Sequence, residues 1–412
     1  MTKTINIKTS IVGAWFGLFM FYIMTSYVAL DGLLPTYINS IALYSFLLYS
    51  AFAIIYSGKI KLTPILWWEL ICLLFALVAM YYSPSFSIFG GTYYSLIVNF
   101  IIVFILTQMP WNRARFNMIM KAFVVSSVGL MIILFVTGKL NFTETPDRFG
   151  SSLTGNANIF AVMLMMGAIY SIWLLISSKT ATEKVLYLLS VVILYVGMFM
   201  SGGRKYVVIP IIFVYVLLVN KVDKKGKSHV LESTCLVILV CFVIYQLIMN
   251  VPMLYESIGI RFDEFFALFN NRAEADSSSL FREKMITAAF DKWKTSPLWG
   301  HGFDSFKYYN ASSVTGHMYY SHNNFVELLY NQGIIGFIAY YSFYVYLIVK
   351  AVKIRKKTLF KGFVLAAIIS TLVFEIFEVT YSITPTQLML CFSYICLHIC
   401  SQDEKAVSNE QD

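Results

Sequence analysis

Apolar blocks of about 20 residues, separated by short polar connections, run through most of this chain and limit what it can fold into. A helix of about that length crosses a hydrocarbon core of roughly 30 Å. In lipid, every backbone N–H and C=O must be satisfied inside the segment or by a closed barrel. About twelve spans are expected, at 11–30, 37–57, 63–82, 89–108, 117–137, 158–177, 185–200, 205–220, 230–250, 323–349, 362–380 and 384–400. The chain is 58% hydrophobic and only 13% charged, whereas a soluble domain carries roughly a quarter charged residues. The expected fold class is therefore all-α, a polytopic transmembrane helical bundle. Helices one to nine fall within 1–250 and helices ten to twelve within 322–401. A large extracytoplasmic loop occupies 251–321, and a polar cytoplasmic tail occupies 402–412.

A net charge of +9 invites a nucleic-acid partner, but the basic residues are placed for another purpose. Most of the 31 Lys and Arg fall in alternate short connections and at the termini, among them Lys59, Lys61, Arg113, Arg115, Lys179, Lys184, Lys221, Lys224, Lys225 and the run Lys350 to Lys361. That alternation sets membrane orientation. It places both termini in the cytoplasm and makes the lipid bilayer, with no nucleic acid, the expected partner. The first apolar run follows Lys3 and Lys8, has full span length and lacks a clear small-residue cleavage site, so a cleaved signal peptide is not expected. Cys72, Cys235, Cys241, Cys391, Cys396 and Cys400 all lie in apolar runs, which supports neither a disulfide framework nor a thiolate metal site.

Two stretches break the pattern. Val185 to Asn220 is almost continuously apolar except for Ser201-Gly202-Gly203-Arg204-Lys205. Split there, each half is short of the membrane thickness, so the turn is expected below the surface, where irregular backbone must be buried in protein or line water. In the large loop, Leu280, Phe281, Met285, Ile286, Ala289, Phe290 and Trp293 recur at helical spacing, with Lys284, Asp291 and Lys294 on the other side. An amphipathic helix lying in the outer interface is expected. After it, Pro297, Gly300 and Gly302 force a turn. Ser321-His322-Asn323-Asn324-Phe325 then leads into an apolar helix interrupted by Asn331-Gln332-Gly333 and Gly336.

Arg148, Arg204, Arg282 and His322 all fall on the outer side beside a turn or span. An Arg at a membrane cavity is costly unless it meets an anion, and its planar guanidinium suits phosphate oxygens. Arginines converging on one cavity would hold a diphosphate without a metal. Each also has an ordinary reading: Arg148 solvated in its loop, Arg204 structurally paired, Arg282 snorkelling to lipid head groups. His322 suits proton transfer or a hydrogen bond to a hydroxyl; taken alone, an interfacial His is more often a polar cap. Asn323 can cap the helix it begins. Glu375 and Glu378 lie three apart near the outer end of the eleventh span, on one helix face, either as a base or as a partner for Arg. His301 and His317 share the loop, but no metal-spaced pair accompanies them, so no metal and no cofactor are expected.

These pieces, in this order, resemble the O-antigen polymerase and O-antigen ligase family of bacterial polysaccharide assembly. The resemblance rests on Ser201-Gly202-Gly203-Arg204-Lys205, on Arg282 with Trp293, Pro297, Gly300, Gly302 and Phe306, and on His322-Asn323 with Gly333, Ile334 and Gly336. Gly155-Asn156-Ala157-Asn158 resembles a family turn in which Pro usually takes the third place. The resemblance implies a metal-independent, inverting glycosyltransferase of GT-C-like architecture in the bacterial inner membrane, working at its extracytoplasmic face on undecaprenyl-diphosphate-linked oligosaccharide. It implies that Arg204 and Arg282, with Arg148 by a looser alignment, bind the diphosphate, Lys205 standing beside them. It puts His322 at the reaction centre, with Glu378, or Glu375, as the recurring acid. A flippase and a chain-length regulator are the protein partners it suggests. Polymerase is the favoured branch and ligase the alternative. A transporter is a third reading, for which paired repeats and midplane charges would be expected.

Overall fold

The computed structural model describes residues 9–31, 34–84, 88, 91–139, 149–154, 156–221, 230–260, 262–264, 277–354 and 358–409. Among them the chain is helical, without a strand. The principal helices are α1 Thr9–Val28, α2 Thr36–Ser57, α3 Pro64–Tyr81, α4 Gly91–Gln108, α5 Arg113–Val136, α6 Ala157–Ser177, α7 Ala181–Met200, α8 Arg204–Val219, α9 Val230–Asn250, α10 Ser277–Trp293, α11 Asn324–Lys353, α12 Leu359–Phe377 and α13 Thr384–Asn409. Ten of these, all but α8, α10 and α13, are long and apolar enough to cross a membrane. At 16 residues α8 is short. α13 opens on Thr-Pro-Thr-Gln and carries His398, which dilutes its hydropathy.

Two boundaries differ from expectation for local reasons. α7 starts at Ala181 rather than 185, because Thr180 caps it by accepting a hydrogen bond from the Glu183 amide at 3.3 Å. It therefore spans about 30 Å at 1.5 Å per residue, and only α8 is a short half. α12 ends at Phe377, so Glu378 leaves the helix with extended backbone (φ −151, ψ 150) and does not share a helical face with Glu375. Asn324 draws the chain away there: its Oδ1 accepts from the Thr380 and Tyr381 amides at 2.8 and 2.9 Å.

The helices form two compact units, Met1–Lys61 with Gln108–Arg261, and Leu62–Thr107 with Phe262–Asp412. In the first, α6 is the inner helix, 78% buried over its most apolar window, packed by α5, α7 and α8. Trp173 on α6 donates from Nε1 to Asn117 Oδ1 at 2.9 Å, and Trp15 on α1 donates likewise to Ser50 Oγ at 2.8 Å. Each indole thus brings its ring into the core with its N–H satisfied. In contrast, α9 is 11% buried and presents Leu236, Ile238, Leu239, Phe242 and Val243 outward.

In the second unit, α11 packs against α3, α10, α12 and α13. It is not a continuous helix. At Gly333 the backbone turns to φ 65, ψ −171, which frees carbonyls before the break and amides after it. The 297–302 loop satisfies them. His301 N donates to the Tyr330 carbonyl at 2.7 Å and Gly302 N to the Asn331 carbonyl at 3.0 Å, while Ile334 N donates to the Pro297 carbonyl at 2.9 Å. The approach demands glycine on both sides. A Cβ on Gly333 would collide with the Leu298 carbonyl, and one on Gly300 would stand 2.6 Å from the Gly333 nitrogen.

Side chains clamp the same junction. Trp293 Nε1 donates to the Pro297 carbonyl at 3.0 Å. Asn331 Oδ1 accepts from the Ser305 and Phe306 amides, both at 3.1 Å, and its Nδ2 donates to Glu327 Oε1 at 3.1 Å. Glu327 Oε2 accepts from the Ser321 amide at 2.8 Å. All of Ser305, Asn331, Glu327 and Ser321 are buried. Replacing Asn331 by Leu keeps the volume but leaves two buried amides and a carboxylate oxygen unpaired. At about 1–3 kcal/mol for each buried unsatisfied group, thermal unfolding of the purified protein should show Asn331→Leu strongly destabilised.

The amphipathic helix forms as α10, but its apolar stripe does not lie free for an interface. Met285 and Ala289 are buried against Phe306 and Tyr330, with Phe281, Tyr309 and Val326 packed around them. Leu280 and Phe290 remain exposed. Asn310, in the Asn-Ala-Ser sequence, is fully buried and donates from Nδ2 to the His317 and Tyr319 carbonyls at 3.0 Å, a geometry suited to bracing the loop.

Candidate active site

The entrance to α11 assembles a small group of polar residues. Asn323 is its N-cap, with Oδ1 accepting from the Val326 amide at 3.0 Å and Nδ2 donating to the Ile376 carbonyl at 3.1 Å. His322, immediately before it, has φ 58. A non-glycine residue in the left-handed region stores strain that its surroundings must overcome. They do so here: Ser321 is held by Glu327 on one side, and its Oγ donates to the Asn323 carbonyl at 3.0 Å on the other. The strained turn aims the imidazole at the C-terminus of α12, where His322 Nδ1 lies 3.8 Å from Glu378 Oε1. Nδ1 is buried and makes no hydrogen bond among the described residues. Both side chains keep partial exposure, 25% and 20%.

Glu375 occupies a different environment. It is fully buried. Oε1 accepts from the hydroxyls of Tyr340, Tyr344 and Thr380 at 3.3, 2.6 and 2.8 Å, and Oε2 from Tyr341 at 3.0 Å. Tyr341 also receives a hydrogen bond from Asn324 Nδ2 at 3.0 Å. This network ties α11, α12 and the turn after α12 together. Four donors surround the carboxylate, and the arrangement suits bracing of the site.

Arg282 sits half-buried on α10, and its guanidinium makes no hydrogen bond or ion pair with the described residues. Arg204 belongs to the first unit. It opens α8 directly after Ser201, Gly202 and Gly203, which are buried, and is itself half-buried. The backbone there closes through Ser201 N to the Gly197 carbonyl at 3.1 Å and Gly202 N to the Phe199 carbonyl at 2.9 Å. Lys205 lies over the Tyr206 ring at 5.2 Å. Two cations at a helix N-terminus oppose the helix dipole, whereas an anion is favoured there. Arg148 lies outside the described residues.

The loop between α10 and α11 contributes a group that sequence reasoning did not single out. Asp304, also left-handed at φ 58, pairs through Oδ2 with Lys307 Nζ at 2.5 Å. Lys307 stands over the rings of Tyr308 and Tyr320, and the Tyr320 hydroxyl is 3.3 Å from Thr92 Oγ1. Burial alone would lower the Lys307 ammonium; the hydrogen bond and charge of Asp304 outweigh it and raise the amine above its ordinary value. Glu327 is not singled out by the sequence either, and Asn331 is legible there only as part of a helix interruption. Their four-residue spacing, two polar side chains on one face of an apolar helix, is a readable signal. His301 is part of the clasp, its Nε2 2.9 Å from the Lys292 carbonyl.

Residues 189–341 match the family model described as O-antigen ligase. The matched segment opens within α7, takes in the buried turn with Arg204 and Lys205, α10 with Arg282, the 297–302 loop, His322 and Asn323, and closes within α11 past the break. It supports the O-antigen polymerase and ligase family suggested by the motifs, and with it a glycosyltransferase-like enzyme embedded in a membrane. Glu375 and Glu378 lie beyond the matched residues. No curated protein matches the chain.

Proposed function

We propose that this protein is a polysaccharide polymerase that transfers a glycan from undecaprenyl diphosphate to a hydroxyl of another lipid-linked repeat unit, at the extracytoplasmic face of the bacterial inner membrane. The observation that carries this is the strained, partly exposed His322, within the segment matching the family, beside Glu378. In this mechanism the imidazole takes the proton of the acceptor hydroxyl through Nε2, while Glu378 faces Nδ1 and stabilises the imidazolium. The acceptor oxygen forms a bond to the anomeric carbon as the bond from that carbon to the diphosphate oxygen breaks, with inversion. Undecaprenyl diphosphate leaves with its charge stabilised by Arg204 and Arg282, and Arg148 and Lys205 lend further positive charge. No nucleotide is needed, because the diphosphate linkage already supplies the driving force.

The description of the matched family favours a second reading, a ligase that moves the finished glycan to lipid A-core or another acceptor. Polysaccharide from a deletion strain separates the two: single repeat units remain without a polymerase, and long chains stay on the carrier lipid without a ligase. The diphosphate assignment is tested with purified protein. Arg204→Ala should lower kcat/KM for a lipid-diphosphate donor by about 10²-fold or more, and Arg204→Lys should restore only part, because an ammonium lacks the bidentate fork. Unchanged kinetics in Arg204→Ala would remove Arg204 from the mechanism.

A further inference from the structure

The second unit contains a narrow cleft, with room for about one small ion or water, whose lining includes Trp68 and Glu69 of α3, Gln332 and Gly336 of α11, and Tyr381 and Gln387 near the start of α13. Among its buried oxygens that lack a hydrogen-bond partner are Glu69 Oε1 and Gln387 Oε1. Glu69 and Gln387 are each 3% exposed. The Gln387 amide orientation is fixed, because Nε2 donates to the Tyr381 carbonyl at 2.9 Å and leaves the oxygen as the free end. An ionised Glu69 and an amide oxygen are both acceptors, so neither satisfies the other. None of the residues lining the cleft is Lys, Arg or His. A carboxylate that stays ionised within a span needs a positive partner, and the lining supplies none.

We propose that this cleft binds a dehydrated monovalent cation, sodium or potassium, through Glu69 Oε1 and Gln387 Oε1. The chemistry fits the charge: hard cations take oxygen ligands, and a single carboxylate balances one positive charge, whereas divalent ions recruit several carboxylates or keep their water. The place fits as well. Gln332 and Gly336 flank the break at Gly333, and oxygen ligands beside an interrupted helix are a recurring way of holding small cations inside a membrane. A bound ion would tie α3 and α13 to the lower half of α11 and so stiffen the helix that carries His322 at its start. This inference stands apart from the transfer reaction and is read without substrate.

Purified full-length protein in neutral detergent is unfolded thermally in choline chloride, with choline replaced stepwise by sodium or potassium at constant ionic strength. The melting temperature should rise saturably by several degrees with one or both ions, as expected of a ligand that binds only the native state. Glu69→Gln and Gln387→Leu should abolish the rise, and Glu69→Gln should melt in choline at or above wild type, since a buried charge is gone. Radioactive sodium or rubidium should bind wild type at about one ion per chain, the measurement that decides the matter if either variant fails to fold. Identical melting of wild type in all three salts together with no ion binding, or a full response retained in Glu69→Gln, would overturn the proposal and leave a protonated Glu69 as the explanation.

Discussion

His322→Asn should reduce glycan transfer by about 10²–10⁴-fold, the range expected for removing a general base, with little change in thermal stability. Asn is the informative replacement. His322 sits at φ 58, and Asn tolerates the left-handed region better than most residues, so the variant keeps the turn and removes the imidazole. Ser321 and Asn323, which hold the turn on either side, are untouched. A merely structural histidine would give the opposite pattern, with a lowered melting temperature and preserved turnover. Glu378→Gln should cost less, because in the proposed mechanism Glu378, 3.8 Å from Nδ1, works only through the imidazole. Its effect should fall on kcat and should be small once His322 is already replaced, since two residues that act as a unit are not additive.

Gly333→Ala should be the most destabilising single-methyl change in the second unit. The residue holds φ 65, where a side chain costs about 1–3 kcal/mol in strain. The added Cβ also meets backbone, the Leu298 carbonyl and the Trp299 amide, rather than a side chain that could swing aside. Making room would pull the 297–302 loop away from α11 and release the hydrogen bonds between them, each worth about 1 kcal/mol net with a larger penalty when left buried. A loss of roughly 4 kcal/mol or more is expected, read as a large fall in melting temperature and as aggregation on size exclusion. Gly13→Ala is the control: it lies within α1, nothing stands within 4 Å of the added carbon, and the change should be neutral or slightly stabilising.

The spans were legible because lipid imposes one rule on every segment, that apolar side chains cover an internally bonded helix. The expected 158–177 and 230–250 appear as Ala157–Ser177 and Val230–Asn250. What depended on distant residues was not legible. The Asn331-Gln332-Gly333 interruption is visible in the sequence, but the main-chain reversal there depends on carbonyls and amides delivered from residues 297–302. The end of α12 depends on Asn324, more than fifty residues earlier in the chain, so Glu375 and Glu378 part company although their spacing suggests a shared face. The amphipathic stripe of α10 gave its periodicity away but not its partner, because a membrane surface and a protein groove ask the same pattern of a helix. His322 and Asn323 were readable as a pair, since a polar doublet before a long apolar run is a helix entrance. The strain in His322 was not.

The central claim is that this chain makes a glycosidic bond at the expense of a polyprenyl diphosphate, with His322 activating the acceptor. Its most direct test uses purified protein in nanodiscs with one defined undecaprenyl-diphosphate oligosaccharide and a second lipid-linked unit as acceptor. The expected result is one molecule of free undecaprenyl diphosphate released for each new bond, inverted configuration at the anomeric carbon, and loss of both products in His322→Asn. A donor left intact by active, folded wild-type protein, or product formed at the wild-type rate by His322→Asn, would contradict it.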